Sequence, residues 1–254
     1  MTVLDEMVAA KRIEIAARQA KHSLAEMRAR ARSGPAVRPF RPGRPVALIA
    51  EVKRRSPSRG DLALDIDPVQ QAIAYQRGGA SAVSVLTDEP YFGGSFHDLE
   101  LVRAAIELPV LCKDFILEPY QVFEARSWGT DILLLVVAAL EDRALRELHT
   151  CSLESGMQPL VEVHDQHDLA RALALGAGLI GINNRDLSDF SVNLLTTEYL
   201  APLIPESVTI VSESGIATPG DVKRVRDAGA SVVLVGEALM RAGDPAAAIA
   251  SLLA

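Results

Sequence analysis

Four apolar segments recur along the chain, and each one directly follows a glycine. The glycines are Gly79, Gly129, Gly176 and Gly229, so the intervals between successive segments are 50, 47 and 53 residues. A glycine at this position is typical of the left-handed residue that ends a helix, and the run after it has no polar face, as in a strand that is buried on both sides. Each segment therefore predicts a junction between a helix and a buried strand.

Four more strands are predicted between and before these junctions, because a strand and its helix occupy only about 25 residues. Each of them begins at or near a proline, which is tolerated at the start of a strand. The four additional strands span residues 45–53, 109–115, 159–163 and 208–213.

The alternation of eight strands with eight helical stretches predicts an α/β fold. Helix starts support it, because Asp67-Pro68 and Thr218-Pro219 each combine a capping side chain with proline at the first helical position. Eight units in roughly 250 residues match a (β/α)8 TIM barrel, although an open, doubly wound sheet also alternates strands and helices. The regular repeat favours the closed barrel, as a single domain of residues 1–254.

An N-terminal helical extension with its connector, residues 1–44, precedes the repeat. Residues 2–32 carry apolar positions at helical spacing, and residues 23–26 form a capping-box pattern. Residues 33–45 contain four prolines and predict an irregular connector. Two hypotheses remain open, because the helical region can either close the bottom of the barrel or cover its catalytic face.

The bulk composition is that of an enzyme-sized soluble domain. The chain has 254 residues, 49% of them hydrophobic, and a formal charge of -7, which gives no general attraction for nucleic acid or an anionic membrane. Cys112 and Cys151 are expected to be reduced and unpaired. Residues 1–6 lack a signal-peptide core, and the longest apolar run, residues 132–140, is far below the ~20 residues of a membrane span. A cytoplasmic location is therefore expected.

Polar and ionisable residues stand where the predicted strands end, and the loops after the strands form the active face of such a barrel. These strand-end residues are Glu51, Lys53, Lys113, Glu162, Asn183, Arg185, Glu213, Ser214, Gly236 and Glu237. Residues two apart on a strand share a face, so Glu51 is expected beside Lys53, and Asn183 beside Arg185. A single charged residue at a strand end is about as often merely the first solvated residue after the strand as it is a functional residue. Two lysines and two glutamates on three strands favour a shared catalytic role.

A phosphate site is predicted at the ends of the seventh and eighth strands. Gly215 and Gly236 let backbone amides approach an anion there, and the Glu237 carboxylate is expected to point away. The loop of residues 53–60 is rich in Arg, Ser, Pro and Gly, which favours a mobile loop over an acidic substrate. Phe92 and Phe115 follow strands and indicate a flat, apolar part of the substrate.

The histidines do not form a metal-binding pattern. His164 and His167 lie at a strand-to-helix junction, where a surface or capping role is favoured over a zinc site. The sequence also has no Walker loop. Catalysis by protein side chains alone, with no cofactor and no metal, is therefore expected.

Seven of these segments together resemble the strand-end motifs of the indole-3-glycerol-phosphate synthase family. The matching segments, in order, are residues 49–58, 86–95, 111–115, 160–164, 181–187, 212–216 and 235–240. The resemblance runs from residue 1 to about residue 250 and includes the helical extension. It implies ring closure, decarboxylation and dehydration of 1-(2-carboxyphenylamino)-1-deoxyribulose 5-phosphate to indole-3-glycerol phosphate, a lyase step of tryptophan biosynthesis.

The resemblance also implies residue roles. The implied catalytic residues are Lys113, Glu162, Lys53, Glu51, Asn183 and Ser214, and the implied substrate-binding residues are Ser56, Phe92, Phe115, Arg185, Leu187, Gly215, Leu234, Gly236 and Glu237. By analogy Lys113 is the general acid of ring closure, while Lys53 and Glu162 share the acid and base roles of dehydration. Glu51 and Asn183 would orient groups or stabilise the cationic intermediate.

The partner implied by the resemblance is a small phosphorylated aromatic amine, with no nucleic acid and no membrane. The implied oligomeric state is a monomer, with a weak homodimer as the alternative.

Two other classes stay open on the residues alone. Another barrel enzyme acting on a sugar phosphate, such as the isomerase of the preceding step, would share the phosphate loops but uses a cysteine and an aspartate as its acid-base pair. A catalytically silent phosphate-binding protein would not need Lys53, Lys113 and Glu162. The presence of these three residues favours the synthase over both.

Overall fold

Eight parallel strands form a closed barrel in this computed structural model, which describes residues 2–43, 45–57, 60–187 and 189–254. The strands are β1 (Ala47–Val52), β2 (Ala82–Leu86), β3 (Val110–Lys113), β4 (Ile132–Val136), β5 (Gln158–Val163), β6 (Leu179–Asn183), β7 (Thr209–Glu213) and β8 (Val232–Val235). β1 pairs with both β2 and β8, which closes the sheet. The predicted TIM barrel is therefore confirmed, and the open doubly wound sheet is wrong.

Parts of two predicted segments lie outside the described residues. They are Met1 and Arg44 of the extension, and Ser58 and Arg59 of the loop of residues 53–60. In the described part of that loop, residues 55–56 and 60–61 pair as a short antiparallel hairpin.

Eight helices of the described chain follow the strands in turn and form the outer ring. In chain order the helices are α1 (Val3–Lys21), α2 (Leu24–Ser33), α3 (Pro68–Arg77), α4 (Glu89–Phe92), α5 (Phe96–Ala105), α6 (Pro119–Ser127), α7 (Asp142–Glu154), α8 (Gln166–Leu175), α9 (Leu195–Leu200), α10 (Pro219–Asp227), α11 (Glu237–Met240) and α12 (Pro245–Leu253). The short helices α4 and α11 lie in the loops after β2 and β8, and α1 and α2 precede the barrel.

The local signals at the helix ends have the predicted geometry. The four junction glycines, Gly79, Gly129, Gly176 and Gly229, have φ angles of 94°, 93°, 79° and 117°, in the region where an L side chain is strained. At the helix starts, the Asp67 side chain accepts hydrogen bonds at α3, and Thr218 forms a capping box at α10. The helix ends and helix starts that the sequence predicts at these residues are therefore present in the structure.

The strands have no polar face because both of their faces are covered. Alternate residues form two buried clusters: Ile49, Leu111 and Leu160 belong to the barrel interior, whereas Leu48, Val110 and Val161 pack beneath the helices. This arrangement makes the strands almost continuously apolar, and the charged side chains of the interior, Glu51, Lys113, Glu162 and Glu213, lie at or next to the C-terminal ends of their strands.

The N-terminal extension contacts both ends of the barrel. In α1, Lys11 Nζ lies 2.8 Å from Asp88 Oδ2 and 2.9 Å from Asp114 Oδ1, at the C-terminal ends of the strands. In the connector, Phe40 is buried with residues that begin the strands, and the Arg38 amide donates a hydrogen bond to Asp131 Oδ1 at 2.7 Å. The helix therefore covers the catalytic face, and the connector closes the opposite end.

Lys11 is the buried charge that fixes α1. Only 1% of the residue is exposed, and its three carboxylate partners are Glu14, Asp88 and Asp114. Burial alone would lower the pKa of Lys11, but Asp114 and then Asp88 raise it above its ordinary value, so the side chain is an ammonium ion. Buried charges of this kind are tolerated only when they are paired.

Replacing this ammonium should destabilise the protein strongly. In Lys11→Met, Asp88 and Asp114 face each other without their shared cation, so we expect the free energy of unfolding to fall by about 3–5 kcal/mol. Urea unfolding of this variant and of Lys21→Met, an exposed lysine in the last turn of the same helix, measures the difference. Equal stabilities of the two variants would contradict the prediction.

Candidate active site

A cavity at the C-terminal ends of the strands contains all the site residues inferred from the sequence. Its lining includes Glu51, Lys53, Lys113, Glu162, Asn183 and Ser214, and also Ser56, Phe92, Phe115, Arg185, Leu187, Gly215, Leu234, Gly236 and Glu237. We call it the catalytic cavity. The structure brings these residues together, while their individual roles stay predictions.

Two ammonium groups hold the carboxylates of the catalytic cavity. Lys113 Nζ lies 2.6 Å from Glu162 Oε2 and 2.8 Å from Glu213 Oε2. Lys53 Nζ lies 2.7 Å from Glu51 Oε1, so the predicted proximity of these two side chains is confirmed. Each ammonium is thus in direct contact with a group that can receive or return its proton.

The two carboxylates that share Lys113 differ in their affinity for protons. Burial raises the pKa of Glu162, but the Lys113 ammonium and then His164 outweigh burial and lower it to about 2. Burial raises the pKa of Glu213 to about 7, since Lys113 only partly opposes the effect and Glu162 adds to it. Burial would also lower the pKa of Lys113, but Glu162, Glu213 and Glu51 raise it above its ordinary value. The site therefore sets an ammonium against two carboxyl groups of different proton affinity, because the shifts favour the ionised form of Glu162 and the protonated form of Glu213.

Glu213 is the residue that the implied catalytic set missed. Its Oε1 atom is buried and has no hydrogen-bond partner among the described residues, and it lies against the backbone of Gly181. A signal was available in the sequence, because Glu51, Lys113, Glu162 and Glu213 all end odd-numbered strands. In such a barrel, alternate strands contribute four side chains to one interior layer.

Asn183 and Arg185 lie side by side, but the strand does not continue between them. β6 ends at Asn183, whose Nδ2 donates to Glu162 Oε1 at 3.2 Å and whose Oδ1 accepts from the Arg185 backbone N–H at 3.1 Å. The Arg185 guanidinium donates to the Phe190 carbonyl at 3.0 Å. Asn183 thus orients Glu162 while it fixes the start of the loop that carries Arg185.

The arginines of the first loop pair with protein carboxylates. Arg54 donates to both carboxylate oxygens of Asp98 on α5, and Arg55 donates to Asp61 across the hairpin. Ser56, by contrast, lines the catalytic cavity. Arg54 and Arg55 are therefore engaged by acidic side chains of the chain itself, and the role of this loop over an acidic substrate stays a prediction.

The backbone at the ends of β7 and β8 is unusual, while the phosphate site expected there stays a prediction. Ser214 and Gly215 have φ angles of 64° and 81°, and the left-handed conformation of a serine is strained. Gly236 lies so close to Glu51 that an added Cβ would be 2.5 Å from Glu51 Oε1. The Glu237 carboxylate lies 3.1 Å from Arg241 Nη2, while Glu237 also lines the catalytic cavity, so its direction away from a phosphate stays a prediction.

The histidine prediction was half right. Asp165 caps α8, as expected of a capping residue at this junction, but the His164 imidazole is largely buried and faces Glu162. Oxygen and nitrogen atoms of Asp165, His167 and Asp168 lie within 4.8 Å of one another, yet two of these residues are exposed, and we assign no metal to them. Cys112 and Cys151 are unpaired, in agreement with the sequence.

Comparison with known proteins decides between the classes left open by the residues. A family model described as indole-3-glycerol phosphate synthase matches residues 4–252. The chain belongs to the indole-3-glycerol phosphate synthase family. A synthase of this name from a Nocardioides species is 50% identical, covering 98% of this chain and 97% of the relative, and one from Streptomyces griseus is 47% identical, covering 100% and 96%.

Family membership confirms the resemblance and removes the isomerase and the silent binding protein as alternatives. As an indole-3-glycerol phosphate synthase family member, the chain is a carboxy-lyase of tryptophan biosynthesis that acts on a small phosphorylated molecule. Within the described residues, no helix is both long and apolar enough to span a membrane.

Solved structures of more distant proteins share the barrel. The structure of KGPDC from Streptococcus mutans has a TM-score of 0.65 at 11% identity and covers 82% of this chain and 95% of its own. That of 3-hexulose-6-phosphate synthase has a TM-score of 0.63 at 18% identity and covers 82% and 98%. At these identities the likeness concerns the fold alone.

The contact between Gly181 and Glu213 can be tested with one methyl group. In Gly181→Ala the new Cβ would overlap Glu213 Oε1, so the carboxylate must move relative to Lys113. We expect kcat to fall about 10- to 100-fold, because small displacements of catalytic groups cost this much. The matched control is Gly178→Ala, whose Cβ meets no described atom within 4 Å just before the same strand. Equal kcat values for the two variants would show that the position of Glu213 is unimportant.

Proposed function

We propose that the chain converts 1-(2-carboxyphenylamino)-1-deoxyribulose 5-phosphate to indole-3-glycerol phosphate, carbon dioxide and water by general acid-base catalysis. The observation that carries this proposal is the Lys113 ammonium in contact with two carboxylates of opposite protonation preference, 2.6 and 2.8 Å away. This arrangement places a proton donor, the Lys113 ammonium, beside a proton acceptor, the Glu162 carboxylate, in one site at neutral pH.

The substrate would lie across the catalytic cavity with its phosphate at the ends of β7 and β8. Gly215 and Gly236 line the cavity there, and their backbone amides would bind the anion. The substrate carboxylate would lie near Lys53 or Arg185. Its flat ring would pack against the apolar wall formed by Phe92, Phe115, Leu187 and Leu234.

Ring closure joins the ring carbon that carries the carboxylate to the keto carbon of the sugar chain. Lys113 donates a proton to the keto oxygen as this bond forms, which avoids an alkoxide in a buried site. The carboxylate then leaves as carbon dioxide, and the electron pair of the broken bond restores the aromatic ring.

Dehydration completes the indole. The new hydroxyl leaves as water after receiving a proton from an acid, which we assign to Lys53, and Glu162 removes a proton from the five-membered ring. Glu51 holds Lys53, while Asn183 orients Glu162 through its 3.2 Å hydrogen bond. Glu213 holds the other side of the Lys113 ammonium, and Ser214 shapes the phosphate end of the site.

We further propose that the enzyme works as a monomer in the cytoplasm, with a weak homodimer as the alternative. The net charge of -7 supports the absence of nucleic-acid and anionic-membrane partners. Light scattering over a range of protein concentrations tests the oligomeric state.

The direct test of the reaction is to mix the purified protein with the carboxyphenylamino-deoxyribulose phosphate and to record indole fluorescence. A rise in fluorescence that requires the protein, with release of one carbon dioxide per product, supports the proposal. Unchanged substrate in the presence of folded protein contradicts it.

Lys113 should be essential for turnover rather than for binding. In Lys113→Met we expect kcat to fall by at least ~10² with little change in product affinity, because the ammonium acts mainly in the transition state. Lys223→Met, which removes an exposed lysine on α10, is the control. Retention of more than about a tenth of the wild-type rate by Lys113→Met would remove Lys113 from the central role.

The phosphate site can be tested by adding a charge to it. In Gly236→Asp the new Cβ would lie 2.5 Å from Glu51 Oε1, and a second carboxylate would stand at the end of β8, where the dianion is expected nearby. The dissociation constant for inorganic phosphate should therefore rise about tenfold or more. The control is Gly243→Asp, because a Cβ at Gly243 meets no described atom within 4 Å. Titration with inorganic phosphate isolates this effect from any disturbance of Glu51. An unchanged dissociation constant would move the anion site elsewhere.

A further inference from the structure

His164 lies between the proposed catalytic base and a carboxylate of the outer ring. It directly follows β5, and 14% of its side chain is exposed. Its Nε2 atom is 3.4 Å from Glu162 Oε1, and its Nδ1 atom is 3.6 Å from Asp168 Oδ2 on α8. Neither nitrogen has a hydrogen-bond partner among the described residues. The imidazole thus has a carboxylate on each side, close enough to form ion pairs when the ring is protonated.

The imidazole also stands between two cavities. Glu162 lines the catalytic cavity, whereas His164 lines a second cavity that shares Asn183, Arg185 and Leu187 with the first. His164 is therefore the side chain that separates the Glu162 carboxylate from a polar cavity outside the catalytic one. Nothing in the assigned reaction roles uses it.

The charges that face His164 are mostly negative. Burial would lower the pKa of His164, but Asp168 and then Glu162, with a smaller effect from Glu213, raise it above its ordinary value. Cations stand behind these carboxylates, Lys113 beyond Glu162 and Arg171 beyond Asp168, and Arg185 lies in the wall that the two cavities share. Asp165, at the start of α8, adds another negative charge to the second cavity.

We propose that His164 is a positioning residue that acts through Glu162. Its imidazolium, set between Glu162 and Asp168, keeps the Glu162 carboxylate ionised and turned so that Oε2 meets Lys113 while Oε1 meets Asn183. This inference rests on the proposed function, in which Glu162 is the base of dehydration.

The direction in which loss of His164 changes the pKa of Glu162 follows from the positive charge of the imidazolium. An imidazolium favours the ionised form of a neighbouring carboxylate, so its removal must raise the pKa of Glu162. A base with a raised pKa becomes protonated, and therefore inactive, at a higher pH. Because the Glu162 pKa starts at about 2, this rise leaves the carboxylate ionised at neutral pH, and the loss of its fixed orientation is what lowers kcat there. KM, which depends on contacts elsewhere in the catalytic cavity, should change less than about twofold.

The first experiment measures kcat and KM of His164→Gln at neutral pH, since glutamine keeps a polar side chain of similar size but carries no charge. We expect kcat to fall about tenfold or more, because small displacements of a catalytic group cost this much. His167→Gln, the same substitution at an exposed site three residues away, should leave kcat unchanged. Circular dichroism confirms that the variants stay folded. An unchanged kcat in folded His164→Gln would overturn the inference.

A second experiment does not depend on activity. Electrostatic coupling is reciprocal, so Glu162→Gln must lower the imidazole pKa of His164, measured by NMR titration of the labelled histidine ring. An unchanged imidazole pKa would overturn the inference even if Glu162 is the base. Conversely, normal turnover by Glu162→Gln with a lowered imidazole pKa would show that the coupling exists but that the proposed base is wrong.

Discussion

The sharing of one ammonium by two buried carboxylates is the interaction on which the rest of the site depends. Glu162 and Glu213 enter the apolar end of the barrel because Lys113 neutralises them there. The three groups come from β5, β7 and β3, which are not neighbours, so they meet only when the barrel is closed in its observed register. Closure of the barrel therefore brings the catalytic groups together.

Lys113 and the residue after it belong to two different charge clusters. Lys113 faces the catalytic cavity, whereas the Asp114 carboxylate receives Lys11 of α1 at 2.9 Å. One peptide unit thus links the position of the catalytic lysine to the position of the N-terminal helix. The extension also reaches the catalytic cavity directly, because Met7 of α1 is part of its lining.

Local patterns were sufficient to predict the barrel and the set of residues around its cavity. The glycines before the apolar runs set the number of strands, and the parallel order of the strands then brought their polar ends together, as for Glu51 and Lys53. What the sequence left undecided depends on packing between distant segments. Arg54 pairs with Asp98 on α5, a helix whose position no local pattern encodes. The proximity of His164 to Glu162 was available from their two-residue spacing at the end of β5, whereas the burial of His164 depends on packing.

Closure of the sheet through β1 and β8 has a consequence for the order of events during protein synthesis. β8 is the last strand of the barrel to leave the ribosome, so β1 keeps one edge unpaired until nearly all of the chain has been made. A nascent chain that lacks β8 therefore exposes two strand edges, on β1 and on β7. These edges are the surface that a chaperone would need to protect from pairing with other chains.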